Sequence, residues 1–258
     1  MSESVLNERI GNVVVITLNA PEKRNALSTE ILHALAEQLQ VLATDTECRA
    51  IVLTGAGDHF CSGGDVSAMT AERPILGSRQ RIEAAHRVIR SICGGPKPIV
   101  AAVEGYAFGA GLSLVAACDY VVASPSGKFS AVFAKVGLIP DMGLLWTLPQ
   151  RIGVGAAKKL FITARTVESA EALTLGLIDE ISEVGRARDA GLTVAQSYAA
   201  APPLVVAMLK STFAKGCTTL DDALRAEIDI QPTLYLSADH QNAIAAFREK
   251  RAPEFHGV

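Results

Sequence analysis

The sequence predicts an α/β fold in which buried strands alternate with helices. Short runs rich in β-branched residues recur along the first half of the chain, and stretches with helical apolar spacing separate them. These strand runs are continuously apolar, which is typical of strands covered on both faces. After residue 153 the pattern becomes almost wholly helical. We therefore expect a strand-and-helix core followed by a helical region.

The first elements follow one another closely. Residues 13–18 and 50–54 predict buried strands, and Ser28 is placed to cap an amphipathic helix that ends near Leu42. A second helix is expected over residues 78–93, before Pro96 and Pro98 interrupt the helical pattern.

The remaining elements lead into the helical region. Residues 99–103 and 120–123 predict two more strands, with a short buried helix over residues 109–117 between them. One further strand is expected within residues 179–184, and Pro202-Pro203 opens a helical stretch that reaches Lys250. We expect a core over residues 1–200 and a helical C-terminal region over residues 201–258.

Composition narrows the possible partners. The chain has 258 residues, a net charge of −3 and an apolar content of 49%, which is expected of a soluble globular protein and argues against a nucleic-acid partner. Its five cysteines contain no C-x-x-C pair, so we expect reduced thiols and no metal. The apolar runs are too short to cross a bilayer and no secretion signal is visible, which together predict a cytoplasmic protein without a membrane partner.

Two glycine-bearing stretches are the most informative chemical feature. Phe-Cys-Ser-Gly-Gly-Asp at residues 60–65 and Gly-Tyr-Ala-Phe-Gly-Ala-Gly at residues 105–111 each follow a predicted strand. Small residues let a ligand approach the backbone, so the N–H groups of Gly64 and Ala110 can converge on one carbonyl oxygen. The alternative is that these glycines serve only tight turns and close packing.

Five segments resemble the crotonase, or enoyl-CoA hydratase/isomerase, superfamily. They are IVAAVEGYAFGAGLSLVAACD at residues 99–119, NAPEKRNAL at 19–27, residues 60–65, VGLIP at 136–140 and GLIDE at 176–180. The resemblance implies a crotonase-like spiral of ββα units with a C-terminal region that covers the site and supports oligomers. It also implies a homotrimer or homohexamer, an acyl-CoA thioester substrate, and no cofactor beyond the CoA moiety.

The resemblance assigns roles to the two stretches. Gly64 and Ala110 take the positions of the two N–H donors that hold the thioester oxygen. Coenzyme A is expected to bind at two short segments, which contain Lys23, Arg24, Ala26 and Leu27 and then Cys61, Ser62 and Gly63. The side chains of Lys23 and Arg24 are equally compatible with ordinary solvated charges.

The positions of the two hydratase glutamates distinguish this chain. By the same resemblance they hold Ser113 and Phe133, neither of which is an effective acid or base. One carboxylate stands nearby, Asp141, at the position of the single acidic residue of several enoyl-CoA isomerases. Its alternative role is to cap the helix that follows. Val132, Phe133 and Leu144 are expected to form an apolar wall, and Ser113 to bond a backbone carbonyl or orient substrate.

These observations favour an enoyl-CoA isomerase that uses Asp141 as its only base. The double bond would move from the 3- to the 2-position while the enolate oxygen rests on Gly64 and Ala110. Two alternatives stay open: hydration or another crotonase reaction, and a non-catalytic protein that only binds acyl-CoA. Residues 66–78 are expected to select the acyl group.

Overall fold

The computed structural model describes residues 3–65 and 75–258. Most of the segment expected to select the acyl group, residues 66–74, therefore lies outside the described residues. The described strands are β1 Val5–Ile10, β2 Val13–Leu18, β3 Ala50–Gly55, β4 Ile99–Val103, β5 Tyr106–Phe108, β6 Tyr120–Ala123, β7 Lys128–Ser130, β8 Val167–Glu168 and β9 Glu180–Ile181. The described helices are α1 Thr29–Thr44, α2 Ile75–Gly94, α3 Ala110–Ala117, α4 Leu144–Thr163, α5 Ser169–Leu175, α6 Ala187–Ala199, α7 Pro203–Lys215, α8 Leu220–Tyr235 and α9 Ala238–Glu249.

The main sheet has six strands in the order β1-β2-β3-β4-β6-β9. Only β1 and β2 pair antiparallel, and every later neighbour in this sheet pairs parallel. In the register, Val13 lies opposite Ala50, and Ile51 opposite Ile99. The carboxyl ends of β3 and β4 therefore lie at the same edge of the sheet. The two glycine-bearing stretches begin at this edge.

Both faces of the main sheet are covered, as the continuous apolar strands predict. On one face, Val13, Val15 and Val52 pack against alanines of α6. On the opposite face, Val14, Ile16 and Leu53 belong to a larger cluster that includes residues of α1 to α5. Alternate residues of one strand thus enter different layers, and the α/β fold class is confirmed.

A second, smaller sheet carries the loop before α3. It has the order β5-β7-β8, with β5 and β7 parallel and β7 and β8 antiparallel. The N–H of Gly109 donates to the carbonyl oxygen of Ser130 across this sheet, at 2.8 Å. This sheet fixes the place where α3 begins.

Several strands were absent from the sequence prediction. β1 exposes most of its six residues, so it lacks the apolar run of a buried strand, while β5, β7 and β8 contain only two or three residues each. The prediction of a single strand after residue 153 is therefore wrong, because β8 precedes β9. In α2, Ile82 shares the helical apolar spacing of the buried Ala85, Val88 and Ile89 in the sequence, yet it is 38% exposed.

The first helix begins where its predicted N-cap residue places it. The hydroxyl oxygen of Ser28 accepts from the N–H of Ile31 at 3.1 Å, and α1 buries the apolar face that its spacing predicts. The C-terminal region contains α7, α8 and α9. Lys210 of α7 is buried and joins this region to the core, since its ammonium donates to the carbonyl oxygen of Ile92 and pairs with Asp119.

Within residues 3–65 and 75–258, no single helix is long and apolar enough to cross a membrane. One pair of helices, Ala187–Ala199 with Pro203–Lys215, meets the length and composition requirement only when counted together across a bend of 107°.

Candidate active site

The two glycine-bearing stretches lie against each other. Cys61 and Ala107 form a parallel bridge, in which the N–H of Cys61 donates to Tyr106 and the N–H of Phe108 donates back to Cys61. A Cβ atom at Gly109 would lie 3.8 Å from the Cα of Gly63, and one at Gly63 would lie 3.9 Å from the nitrogen of Ala110. The structure therefore places the first stretch next to the start of α3.

The N–H of Gly64 is directed away from its neighbouring strand. Leu27 and Gly64 form a parallel bridge, in which Leu27 donates to the carbonyl of Gly63 and accepts from the N–H of Asp65. In a parallel pairing the residue between two such bonds turns its own N–H to the opposite side. The donor of Gly64 is therefore left for another acceptor.

The N–H of Ala110 opens α3. The first N–H groups of a helix have no acceptor within that helix, and the helix dipole places partial positive charge there. Every residue of α3 is buried, so an oxygen bound at this end lies in a region of weak dielectric screening. An acceptor placed here gains from both the free donor and the dipole.

Gly111 sets how closely α3 approaches the first stretch. A Cβ atom at this position would lie 2.4 Å from the backbone oxygen of Cys61. No larger residue fits without separating the helix from the loop. Close approach of the two backbones is thus what this glycine contributes.

The two segments expected to bind coenzyme A also meet. The N–H of Ser62 donates to Arg24 at 2.9 Å, and the Ser62 hydroxyl donates to the carbonyl of Lys23 at 3.2 Å. The Leu27 N–H reaches the carbonyl of Gly63 at 2.7 Å. Ala26, half-buried, lies between these contacts.

The charged side chains of the first segment have partners in the protein. The ammonium of Lys23 lies 3.4 Å from the carboxylate of Asp65, and the guanidinium of Arg24 lies 5.7 Å from the ring centre of Tyr106. Tyr106 is itself stacked on His59 at 4.3 Å. Both cations are exposed, so they stay accessible to an anionic group.

Asn25 holds this segment in place, a role that sequence reasoning missed. Its side chain is fully buried, accepts from the N–H of Ala20, and donates to the carbonyls of Ala56 and His59. Arg24 and Asn25 both have positive φ angles, 52° and 55°. Asparagine tolerates this conformation better than most residues, which could have been the signal.

Two of the residues predicted to form an apolar wall lie beside the second glycine-bearing stretch. Phe133 is 7% exposed, and its ring reaches 4.0 Å from a Cβ built at Gly109, while Val132 reaches 3.2 Å. Both side chains therefore lie beside Gly109, the residue that precedes α3. Leu144 is fully buried at the start of α4.

Asp141 is half-buried and does not cap a helix. The helix after it starts at Leu144, and the residue in the cap position is Gly143, with no side-chain cap bond. The Oδ1 atom of Asp141 is buried and has no hydrogen-bond partner among the described residues. The capping alternative for Asp141 is therefore wrong. An unpaired buried carboxylate oxygen is costly to keep, by about 1–3 kcal/mol or more, and is typical of a reactive site.

Ser113 connects Asp141 to α3. Its buried hydroxyl donates to the carbonyl oxygen of Asp141 at 3.1 Å and lies 3.3 Å from the carbonyl of Gly109. Ser113 is three residues after Ala110, about 4.5 Å along the helix axis. The backbone of Asp141 is thus hydrogen-bonded to a residue of α3 that lies within one turn of Ala110.

Burial governs the protonation of Asp141. Desolvation raises the pKa of this carboxyl above its ordinary value, and the positive charges of Arg81 and His86 offset part of that rise. Sequence reasoning did not identify Arg81 or His86, because the spacing along α2 does not show which strand or loop faces them. A carboxyl group with a raised pKa is better suited to exchange protons near neutral pH.

Cys61 is not an activated nucleophile. The side chain is fully buried, and burial raises the pKa of its thiol to about 12. A thiol that stays protonated at neutral pH is a weak nucleophile, so the role of Cys61 is to pack in the core. Across the described residues, the structure contains no group of three or more histidine, cysteine or acidic side chains arranged to hold a metal ion.

Comparisons with known proteins lead to one family. A model of the family described as enoyl-CoA hydratase/isomerase matches residues 8–258. The chain is 34% identical to 1,2-epoxyphenylacetyl-CoA isomerase of Escherichia coli K12 over the full length of both proteins. It is 31% identical to the short-chain-enoyl-CoA hydratase of Clostridium acetobutylicum, with 97% of each chain covered. A solved enoyl-CoA hydratase of Polaromonas sp. JS666 superposes with a TM-score of 0.91 at 34% identity, covering 97% of this chain and 99% of that one.

Proposed function

The chain belongs to the enoyl-CoA hydratase/isomerase family, within the crotonase superfamily, and we propose that it is an enoyl-CoA isomerase. In this proposal it moves the double bond of a 3-enoyl-CoA into conjugation with the thioester. Asp141 is the only base, and Gly64 and Ala110 supply the oxyanion donors.

The proposed reaction is a proton transfer from one carbon to another. The Asp141 carboxylate removes a proton from C2, and the electron pair of that C–H bond forms a dienolate whose charge rests on the thioester oxygen. The same carboxyl then returns its proton to C4, so the double bond comes to lie between C2 and C3. Each N–H donor to the oxyanion contributes about 3 kcal/mol to the transition state, by analogy with other oxyanion holes.

One observation carries the proposal. Among residues 3–65 and 75–258, the buried Oδ1 of Asp141 has no hydrogen-bond partner, and Ser113 links its backbone to the helix that begins at Ala110. A base for this reaction must lie close to the oxyanion donors and keep a free oxygen for the substrate proton. The free Oδ1 of Asp141 and its backbone bond to α3 support this assignment.

Hydration is the second candidate, because relatives include an enoyl-CoA hydratase. Adding water to a double bond calls for one group that activates the water and another that protonates carbon. By resemblance, the two positions at which hydratases of this superfamily carry glutamates hold Ser113 and Phe133 in this chain. These residues favour isomerisation over hydration.

Two substrates tested in parallel separate the candidates. The enzyme is incubated with a 3-enoyl-CoA and, separately, with a 2-enoyl-CoA of the same chain length, and products are identified by mass spectrometry and by absorbance of the conjugated thioester. We expect 2-enoyl-CoA from the first and no 3-hydroxyacyl-CoA from the second. Rapid hydration of the second substrate would contradict the proposal.

A non-catalytic acyl-CoA-binding protein is distinguished by isotope exchange. An acyl-CoA without a double bond is incubated with the enzyme in D₂O, and deuterium at C2 is measured. A protein that places a base and an oxyanion hole at C2 exchanges this proton. Tight binding without exchange would favour the binding protein.

We also propose that coenzyme A lies along the two joined segments at residues 23–27 and 61–63. The contacts between them and the exposed Lys23 and Arg24 support this placement, because cations can meet phosphates. Charge reversal of Arg24 to glutamate should raise KM for acyl-CoA, with little effect on the rate at saturation.

The proposal extends to assembly as a homotrimer or homohexamer. Support comes from large apolar side chains left exposed on α7, α8 and α9, where burial against another copy would be favourable. They include Leu209, Phe213, Leu220, Ile228 and Phe247. Sedimentation equilibrium measures the assembly directly.

A further inference from the structure

We infer that Ser113 is a positioning residue: its hydroxyl fixes the backbone of Asp141 so that the free carboxylate oxygen stays aligned with the oxyanion donors. The inference rests on the proposed function of Asp141. It assigns a role in catalysis to a side chain that does not touch the substrate.

The turn that carries Asp141 needs outside support. The next two residues, Met142 and Gly143, both have positive φ angles, 49° and 72°. For Met142 this conformation is strained, since a side chain beyond Cβ rarely adopts it. Met142 is also buried, and a Cβ at Gly143 would lie 3.1 Å from Ile89 of α2. The direction of the Asp141 carboxylate therefore depends on how this strained turn is held.

Two donors hold the carbonyl oxygen of Asp141. The N–H of Leu144 donates to it at 3.1 Å within the turn, and the Ser113 hydroxyl donates to it at 3.1 Å from α3. Only the second bond connects the turn to the helix that carries Ala110. Without it, the turn keeps its local bond but loses its hydrogen-bonded link to α3.

The position of Ser113 also argues against a reacting role. The residue is 0% exposed, and its single hydroxyl proton is directed at backbone carbonyls of Asp141 and Gly109. A hydroxyl committed to carbonyl oxygens has no base to activate it as a nucleophile. The Ser113 hydroxyl therefore acts as a tether, which holds the backbone of Asp141 against α3.

The test compares Ser113→Ala with Ser169→Ala. Ser169 is a matched control, because it is also buried and its hydroxyl also bonds two backbone carbonyls, those of Ser124 and Gly127. For Ser113→Ala we expect kcat for the 3-enoyl-CoA to fall about tenfold or more with KM within about twofold, since small misplacements of a base are costly. Ser169→Ala should leave both constants unchanged in the folded enzyme.

A second readout does not depend on turnover. The Asp141 carboxyl is titrated by ¹³C NMR in enzyme labelled at aspartate, with Asp141→Asn used to assign its signal. Burial raises the pKa of this carboxyl, so release of the turn in Ser113→Ala should lower it toward the ordinary range. Ser169→Ala should not move it. Ser113→Cys, which keeps a weak donor, should fall between wild type and Ser113→Ala on both readouts.

The outcomes separate this inference from the proposed function. If Ser113→Ala keeps wild-type kcat and an unmoved Asp141 titration, the positioning role is wrong while isomerisation stands. If the wild-type enzyme does not isomerise 3-enoyl-CoA but the titration of Asp141 still moves only in Ser113→Ala, the tether is supported and the proposed function fails. Should Ser113→Ala not fold, an unchanged kcat in Ser113→Cys and an unmoved titration would overturn the inference.

Discussion

Replacing Gly111 by alanine perturbs the oxyanion site by a distance that the structure defines. The new Cβ would lie 2.4 Å from the backbone oxygen of Cys61 and 2.9 Å from its Cβ. Ordinary contact begins near 3.4 Å, so α3 and the first glycine-bearing stretch must separate by about 1 Å. The atom in the way belongs to the backbone, so no flexible side chain can absorb the change.

This separation should act on catalysis more than on substrate affinity. A misplacement of about 1 Å costs roughly 100-fold in rate when it moves a group that stabilises the transition state. We therefore expect Gly111→Ala to lower kcat by about that factor, with the overpacking destabilising the fold by about 1–3 kcal/mol. The assay measures steady-state isomerisation of 3-enoyl-CoA together with thermal unfolding.

Gly155→Ala is the matched control. Gly155 also lies in a helix, but a Cβ there meets nothing within 4 Å. Gly155 is exposed and lies two residues after a kink at Gly153, so alanine should change the stability by no more than about 0.5 kcal/mol and leave kcat unchanged. A folded Gly111→Ala enzyme with wild-type kcat would refute the reasoning that this contact sets the oxyanion geometry.

The remaining predictions concern charge. Asp141 must be ionised to act as a base and burial raises its pKa, so log kcat/KM should fall with decreasing pH through a value above the ordinary aspartate range. Arg81→Gln should move that fall to still higher pH, because it removes a positive charge that favours the carboxylate; a pH–rate profile unaffected by the substitution would contradict this assignment. Lys210→Met should destabilise the protein by about 1–3 kcal/mol, because it removes the buried ammonium that donates to the Ile92 carbonyl and pairs with the partly exposed Asp119 carboxylate. Denaturant unfolding measures that loss, kcat of the folded enzyme should stay the same, and a stability equal to wild type would show that the pair contributes little.

Much of the fold could be predicted because its signals are local. The strands β2, β3 and β4 are continuous apolar runs, and Ser28 is a side-chain cap whose bond forms within four residues. β1 and β5 carry no such signal: one is an exposed edge strand and the other has three residues stabilised by distant partners. Their pairing is a property of the folded chain.

The candidate site divides in the same way. Glycines at two spaced stretches and a lone Asp141 are visible in the sequence, and the structure brings the glycine stretches together. Whether Asp141 caps α4 could not be decided from its neighbours, since the helix begins three residues later for reasons of packing and backbone conformation. The bond from Ser113 to Asp141 joins residues 28 positions apart, and no local pattern specifies it.

The most direct measurement is isomerisation of 3-enoyl-CoA by Asp141→Asn. With no second carboxylate at position 113 or 133, loss of the base should lower kcat by about 100-fold or more, within the range that general acid–base groups contribute. The raised pKa means that the carboxylate weakens the folded state as pH rises through that pKa, so the variant should unfold at the same or a higher temperature near neutral pH. A folded Asp141→Asn enzyme that turns over at the wild-type rate would contradict the account.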